Sequence, residues 1–350
     1  MRFRPGFPLL ALTSAVALGA CSGDGRRGPH ALDQPLDRGR EDGSSSDGGA
    51  VPVGTTTVLS MDTPNATGAK AHVVAHANAL AITTTTTHVY FGDTDDDWMF
   101  VLEKKEGAQP ERFARRAPVA GAVAADEKSL TWIATPGDTV MRAPLDGSSP
   151  AVAIRDREIF TSVASQGGDV FVTGAEAGRG ALTRITGSTA AHLATFDAVP
   201  RALFVDATNA FVITPTSIVR TPRQRGPVTT IALGEGFGKA AADDACIYVT
   251  VKRGNTRTIM RAPKYGGATT VTSSIEGVRE APIAVRHGEV FYFDSERPAL
   301  RALAIDKNAT RIVSEDPLFE RVNALAIDDD GAWIATGEAS SGAVVHVPYR

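Results

Sequence analysis

Cysteine is scarce in this chain of 350 residues: only Cys21 and Cys246 are present. Two cysteines allow one disulfide at most, so a multi-bridge scaffold is excluded. Positive charge is not in excess either. Lys and Arg number 36 against 40 Asp and Glu, a formal charge of -4. That balance offers no basic field for nucleic acid, and no nucleic-acid partner is expected. No apolar run approaches the roughly 20 residues a membrane-spanning helix needs. Apolar residues do not recur at helical spacing, so helical solenoids are also excluded. Nucleophile elbows, phosphate loops and paired Cys/His metal spacings are missing as well. The sequence therefore supports no cofactor and no catalytic residue.

What is present begins at the N-terminus. Arg2 and Arg4 precede a charge-free apolar run over residues 7–18. A basic start and a short apolar stretch make a signal peptide. Its end reads Leu18-Gly19-Ala20-Cys21, with small residues before a cysteine and a leucine three places upstream. This resembles the bacterial lipobox. The resemblance implies cleavage after residue 20, a diacylglycerol thioether on Cys21 and acylation of the new amino terminus. Several acyl chains at about 0.8 kcal/mol per buried CH2 make a stable anchor. Ser22 stands where an inner-membrane retention signal would have aspartate, which favours the outer membrane or cell surface. Residues 21–52 are Gly, Ser, Asp, Arg and Pro with hardly an apolar cluster, and read as a flexible tether. The expected location is the cell envelope, with the membrane itself as one partner.

Residues 53–350 carry a repeat. Short apolar runs with one aromatic place rings at 90, 132, 171, 211, 248, 291 and 333. Successive differences are 42, 39, 40, 37, 43 and 42. Four strands of a propeller blade take about 40–45 residues. Each unit reads as four strands. The first is small and apolar, as in Ala202-Leu203-Phe204-Val205. The aromatic strand is second. The third ends in a basic residue and often proline, as in Met141-Arg142-Ala143-Pro144. The outer strand is Thr/Val-rich, as at residues 267–272. The pentapeptide Asn78-Ala79-Leu80-Ala81-Ile82 recurs unchanged at residues 323–327, in the first and last units. The last unit lacks an outer strand, and the similar stretch 54–60 is predicted to supply it beside residues 343–348. The fold class expected is all-β, a seven-bladed β-propeller closed by an N-terminal strand.

At this level the chain resembles exported bacterial propellers of the TolB, NHL and YWTD-like group. The resemblance covers about residues 54–350 and implies a fold more than an activity. The Trp-Asp signature of WD40 blades, the sialidase Asp-box and the quinoprotein tryptophan motif are missing.

Candidate chemistry is sparse. Asp93, Asp95 and Asp97 alternate as calcium ligands would, but the loop is a poor EF-hand: Trp98 stands at its sixth position and Lys104 at its twelfth. A solvated loop between second and third strands is the plainer reading. His72 and His76 are four apart, but enter a strand-rich region with no glutamate between them, which favours a surface or packing role. Cys246 opens an apolar strand and reads as a buried small hydrophobe. Arg142, Arg184, Arg220, Arg261 and Arg301 recur at third strands; a ring of cations for anionic glycans is one reading, but third strands lie away from the channel, which favours partners of carboxylates on neighbouring blades or cover for apolar surface. Trp98, Lys252, Arg253, Arg257, Glu296 and Arg297 fall in one type of loop and are the candidates for a binding face. The function expected is a membrane-anchored binding module for a protein or polysaccharide. The alternative is a propeller enzyme, a metal-dependent lactonase or a polysaccharide hydrolase or lyase, with its site at the mouth of the central channel. Fold analogy alone suggests it.

Overall fold

The structure is a computed structural model describing residues 68–350 apart from 96–97, 116–118, 149, 157, 255, 274–277, 295, 338–340 and 350. Cys21 and the segments read from sequence as a signal peptide and a tether lie outside the described residues. All the strands assemble into seven antiparallel sheets of four. The inner strands are Ala79–Thr84, Val119–Ala125, Ile159–Gln166, Ala202–Val205, Phe237–Ala242, Ala284–Arg286 and Val322–Ile327. Each touches the inner strand of the next blade, and the last touches the first, so the ring is closed. Among the described residues there is no α-helix, and a 3-10 turn spans Pro317–Glu320.

The seventh blade is completed by an N-terminal strand, as expected, but by a different one. His72–Ala75 occupies the outer position, with His72 opposite His346, Val73 opposite Val345 and Ala75 opposite Val344. The stretch 54–60 lies outside the described residues, and His72–Ala75 takes the edge of Ala343–Pro348 that it was expected to fill. Reach explains the difference. Only residues 76–78 separate His72–Ala75 from the first inner strand. Residues 234–236 make an equally short outer-to-inner connection from Thr229–Leu233 to Phe237–Ala242. Outer strands are defined by backbone pairing to an open edge, and threonine content is a weaker guide. His72 and His76 are both exposed, His72 on this strand and His76 just after it.

Seven apolar clusters fill the seven interfaces between blades. In six blades the third residue of the second strand is aromatic and buried: Tyr90, Phe171, Phe211, Tyr248, Phe291 and Trp333. Each enters the cluster shared with the following blade. The second blade departs from this rule. Thr131 holds the equivalent place opposite Arg142, and Trp132 comes one residue later. Successive strand side chains point to opposite faces. Trp132 therefore turns back into the first interface, beside Tyr90, Met99 and Phe113.

The third-strand arginines are held within the sheet. Nε of Arg142, Arg184 and Arg261 donates to the first residue of the adjacent second strand: Ser129 Oγ at 3.0 Å, Asp169 Oδ2 at 3.1 Å and Cys246 Sγ at 3.1 Å. Cys246 is buried. Arg220 donates to the Lys264 carbonyl of the next blade at 3.3 Å. Arg301 sits one residue out of register, opposite Tyr292, and binds Asp294 at 2.7 Å. The carboxylate partners of these arginines belong to their own blades, which corrects the expectation of neighbouring-blade pairs.

A second repeat, not visible as a sequence period, joins one blade to the next. Three residues past the arginine register, a backbone N–H donates to the carbonyl just before the second strand. The pairs are Lys104 to Thr87, Leu145 to Lys128, Arg223 to Thr208, Lys264 to Ala245, Ile305 to Gly288 and Tyr349 to Asp330. The same residues reach back to the preceding blade's aromatic. Arg223 lies 5.3 Å over the Phe171 ring and Lys264 5.1 Å over Phe211. The Tyr349 ring is 5.7 Å from Phe291. Lys104 pairs with Asp328 at 2.5 Å, which accepts from Trp333 Nε1 at 2.9 Å. Leu145 and Ile305 pack on the clusters holding Tyr90 and Tyr248. In the third blade the equivalent residue is Gly187, and the position it would cover is Thr131. Both halves of the device are missing at the same joint.

Asp169 ties two blades together. It accepts from Arg184, from Thr186 at 2.7 Å and from Arg223 of the fourth blade at 3.0 Å. Burial alone would raise its pKa, but the bonds from Thr186 and Arg184 outweigh it and hold the carboxyl below its ordinary value. The stabilisation is thus present above about pH 4 and fades as pH falls through the folded-state value. Asp169→Asn is expected to lose about 2–3 kcal/mol at pH 7. Urea melts should show that deficit shrinking between pH 5 and pH 3. A deficit independent of pH would refute the ionic role.

Candidate binding face

Propeller connectivity sorts the loops onto two faces. Inner-to-second and third-to-outer turns share one face, and second-to-third and outer-to-inner connections share the other. The first face is occupied with its own structure. Asp126, Asp206, Asp243 and Asp328 each accept two backbone N–H groups within their turns. The inter-blade residues Lys104 to Tyr349 lie there too.

The second face carries the loops singled out from sequence. Lys252 and Arg253 are exposed where the long hairpin Cys246–Arg253 and Thr256–Pro263 ends. Lys252 stands directly opposite Arg257, so their side chains share one side of the hairpin. Arg257 is held by Glu280 through Nη2 and Oε2. Glu296 and Arg297 are exposed on the equivalent loop of the sixth blade, where the Glu296 N–H caps Asp294 at 2.8 Å. Trp98 starts a third strand in the first blade, half-buried, with the Arg112 guanidinium 4.9 Å from its ring centre. The ring thus gathers Lys252, Arg253 and Arg257 into one hairpin, with Glu296 and Arg297 on the next blade. Trp98 is two blades further on and belongs to no common cluster with them.

The aspartate loop is largely committed to itself. Asp93 Oδ1 accepts the Asp95 N–H at 2.9 Å, and Asp95 accepts from Asn78 Nδ2 at 3.3 Å. Asp97 lies outside the described residues. Among the described residues no group of three or more His, Cys, Asp or Glu is placed to hold a metal ion.

The inner strands, which surround the axis, are built mostly from Ala, Val, Gly, Ser and Thr. Their longer polar residues are Gln166, Lys239, Arg286 and Asn323, and they carry no carboxylate or histidine. Several inner strands bulge near the second face, including at 238–239 and at Asn323. Bulges re-aim side chains, and often do so beside binding sites. Asn323 uses its amide to bridge Ala79 O at 3.1 Å and Gly337 O at 2.9 Å. Lys239 is different. Burial lowers its pKa to about 8, with Glu280 opposing the shift and Arg201 and Arg257 adding to it. Arg201 precedes the fourth inner strand and donates to Phe237 O at 2.7 Å. Gly238 permits the close approach of Thr250: a Cβ there would lie 2.6 Å from Thr250 Oγ1 and 3.6 Å from Arg257 Nη1. Arg201, Lys239 and Glu280 escaped the sequence reading. The available signal was a lysine interrupting a strand that other blades fill with small residues.

Two grooves flank the seventh blade. One of about 340 Å³ lies against the sixth blade and includes Phe291, Val313 and Tyr349. Another, of about 430 Å³, lies between the closing strand and Phe91 and Phe100 of the first blade.

No protein-family model and no curated protein sequence matches the chain. Solved structures do. The WD40 β-propeller domain of Doa1 superposes with a TM-score of 0.59 at 12% identity, over 80% of this chain and 96% of that one. The AfRom2 CNH domain gives 0.54 at 9% identity, over 80% and 100%. The computationally designed Ika8 protein gives 0.52 at 14% identity, over 77% and 83%. At these identities the likeness is one of fold: a seven-bladed propeller.

Proposed function

We propose that this chain is a lipoprotein anchored through Cys21, whose propeller binds a protein or polysaccharide partner outside the cytoplasm. One observation supports the binding role above the rest. The loop ends of two neighbouring blades bring the exposed charges of Lys252, Arg253, Glu296 and Arg297 together on the second face. The tether of residues 21–52 would hold that face away from the membrane. TolB, NHL and YWTD-like propellers remain the family this reading draws on.

The test is capture from envelope extracts of the source cell. The tagged propeller should recover a partner that a tag carrying residues 22–52 does not. Lys252→Glu with Arg253→Glu should reduce that recovery at least about fivefold, on the scale of two rim charges. Cys21→Ser should leave the membrane fraction and lose acyl labelling. Recovery no better than the tether, or unaffected by the charge reversals, would refute the binding face; a membrane-bound, labelled Cys21→Ser protein would refute the anchor.

A further inference from the structure

We infer that the groove between the closing strand and the first blade, lined by His76, Asp93, Phe100 and Gln109, holds a short segment of a neutral polysaccharide. The inference goes beyond the charged loops of the binding face and uses none of them.

The groove measures about 430 Å³, within the range that binding clefts occupy. One wall is the closing strand and its exit, where Ala75 and Ala77 leave room. The other is the side of the first blade that turns towards it. Phe91 stands directly opposite Phe100 there, and Asp93 directly opposite Trp98, so these residues share one side of the sheet. The Phe91 and Phe100 rings stack at 5.7 Å with their planes 14° apart. Phe91 is buried and Phe100 half-buried, which leaves Phe100 to meet a ligand. His76 and Asp93 belong to connections of the second face. Gln109 and Pro110 belong to the turn that enters the outer strand Glu111–Arg115, on the first face. The groove therefore runs along the rim from one face towards the other, a shape that suits a chain better than a compact molecule.

Its polar groups are still available. Asp93 Oδ1 is taken by the Asp95 N–H, but Oδ2 has no partner among the described residues. The His76 ring and the Gln109 amide have none among them either, and both residues are exposed. Sugar hydroxyls donate and accept, and so does this set. A carboxylate oxygen accepts, an amide does both, and a neutral imidazole donates from one nitrogen and accepts at the other. Charge is balanced as well. Asp93 supplies one negative charge, and Arg112, directly opposite Phe100, supplies one positive charge over the Trp98 ring. A charged ligand would be drawn to one and repelled by the other, whereas a neutral chain meets no such conflict. Phe100 and Pro110 offer apolar surface to the C–H faces of the sugar rings. The unengaged donors and acceptors are side chains, which suits hydroxyls better than the backbone ladder of an added peptide strand.

The experiment is calorimetric titration of the detergent-solubilised full chain with maltotriose, cellotriose, mannotriose and galactotriose. Trigalacturonate and acetyl-trialanine amide serve as comparators. At least one neutral trisaccharide should bind with a Kd of about 1 mM or tighter. His76→Ala and Gln109→Ala should each weaken that binding about three- to tenfold, on the scale of one lost hydrogen bond, and the double variant should lose more than either. Both positions are exposed, so the melting temperatures of the variants should match the parent's within about 2 °C. No binding of any of the neutral sugars, or unchanged binding in the double variant, overturns the inference. Tighter binding of trigalacturonate or of the peptide overturns the assignment to a neutral sugar. Should the sugars fail while envelope capture still depends on Lys252 and Arg253, the groove assignment falls and the binding face stands.

Discussion

Deletion of His72–Ala75 is expected to lower the melting temperature by about 10 °C or more, taking roughly 2–4 °C per kcal/mol for a domain of this size. The strand pairs with the outer edge of Ala343–Pro348 at Val344, Val345 and His346. Val74 and Ala75 also pack on the cluster between the seventh and first blades, which contains Trp333 and Phe91. Without them the seventh blade has three strands, an open edge and a partly uncovered cluster. Open edges invite pairing with another chain, so soluble oligomers or aggregate should accompany the loss. Val73→Thr is the control: Val73 is 46% exposed, and its change should stay within about 0.5 kcal/mol. Thermal melts with sedimentation would settle the matter; a deletion that melts like the intact protein and stays monomeric ends the proposed closure.

The second large effect falls on Trp132. Its ring is fully buried between the first and second blades. Trp132→Ala should cost about 3–5 kcal/mol, since a large ring is lost from a site bounded by rigid strands. Trp132→Phe should cost much less, about 1.5 kcal/mol or under. The reason lies in Nε1, which is buried and has no hydrogen-bond partner among the described residues. Removing an unsatisfied donor offsets part of the lost packing. Denaturant melts of the two variants give the comparison. Equal losses would mean that the indole nitrogen is satisfied after all.

These cases show how far the sequence could be read. Seven units were legible because each second strand is buried on both faces and carries a large ring, which produces a period near 40. The same habit hid the offset of Trp132: a ring one residue out of place barely disturbs a spacing but reverses the direction in which it points. The closing strand was misassigned because outer strands need only an edge to pair with, and His72-Val73-Val74-Ala75 has no threonine to advertise it. The loop candidates were legible through their turn residues and charge. Lys239 was not, because a bulge of two residues decides where its side chain goes, and bulges leave little trace in composition. The inter-blade residues were invisible for another reason. Leu145, Arg223, Lys264, Ile305 and Tyr349 share a position and a backbone bond, yet have no side-chain chemistry in common.

The joint between the second and third blades has a threonine where other blades have a ring, and a glycine where they have a clasp. It relies instead on an apolar cluster, the Phe160 N–H bond to the Gly137 carbonyl at 2.8 Å, a contact between the Ser165 and Thr131 hydroxyls, and an arginine bond from Arg142 to the Gly168 carbonyl. Close packing of the two inner strands carries this joint in place of the clasp, so a closed circle can drop one blade's clasp and keep every link, well away from the strand that fastens its ends.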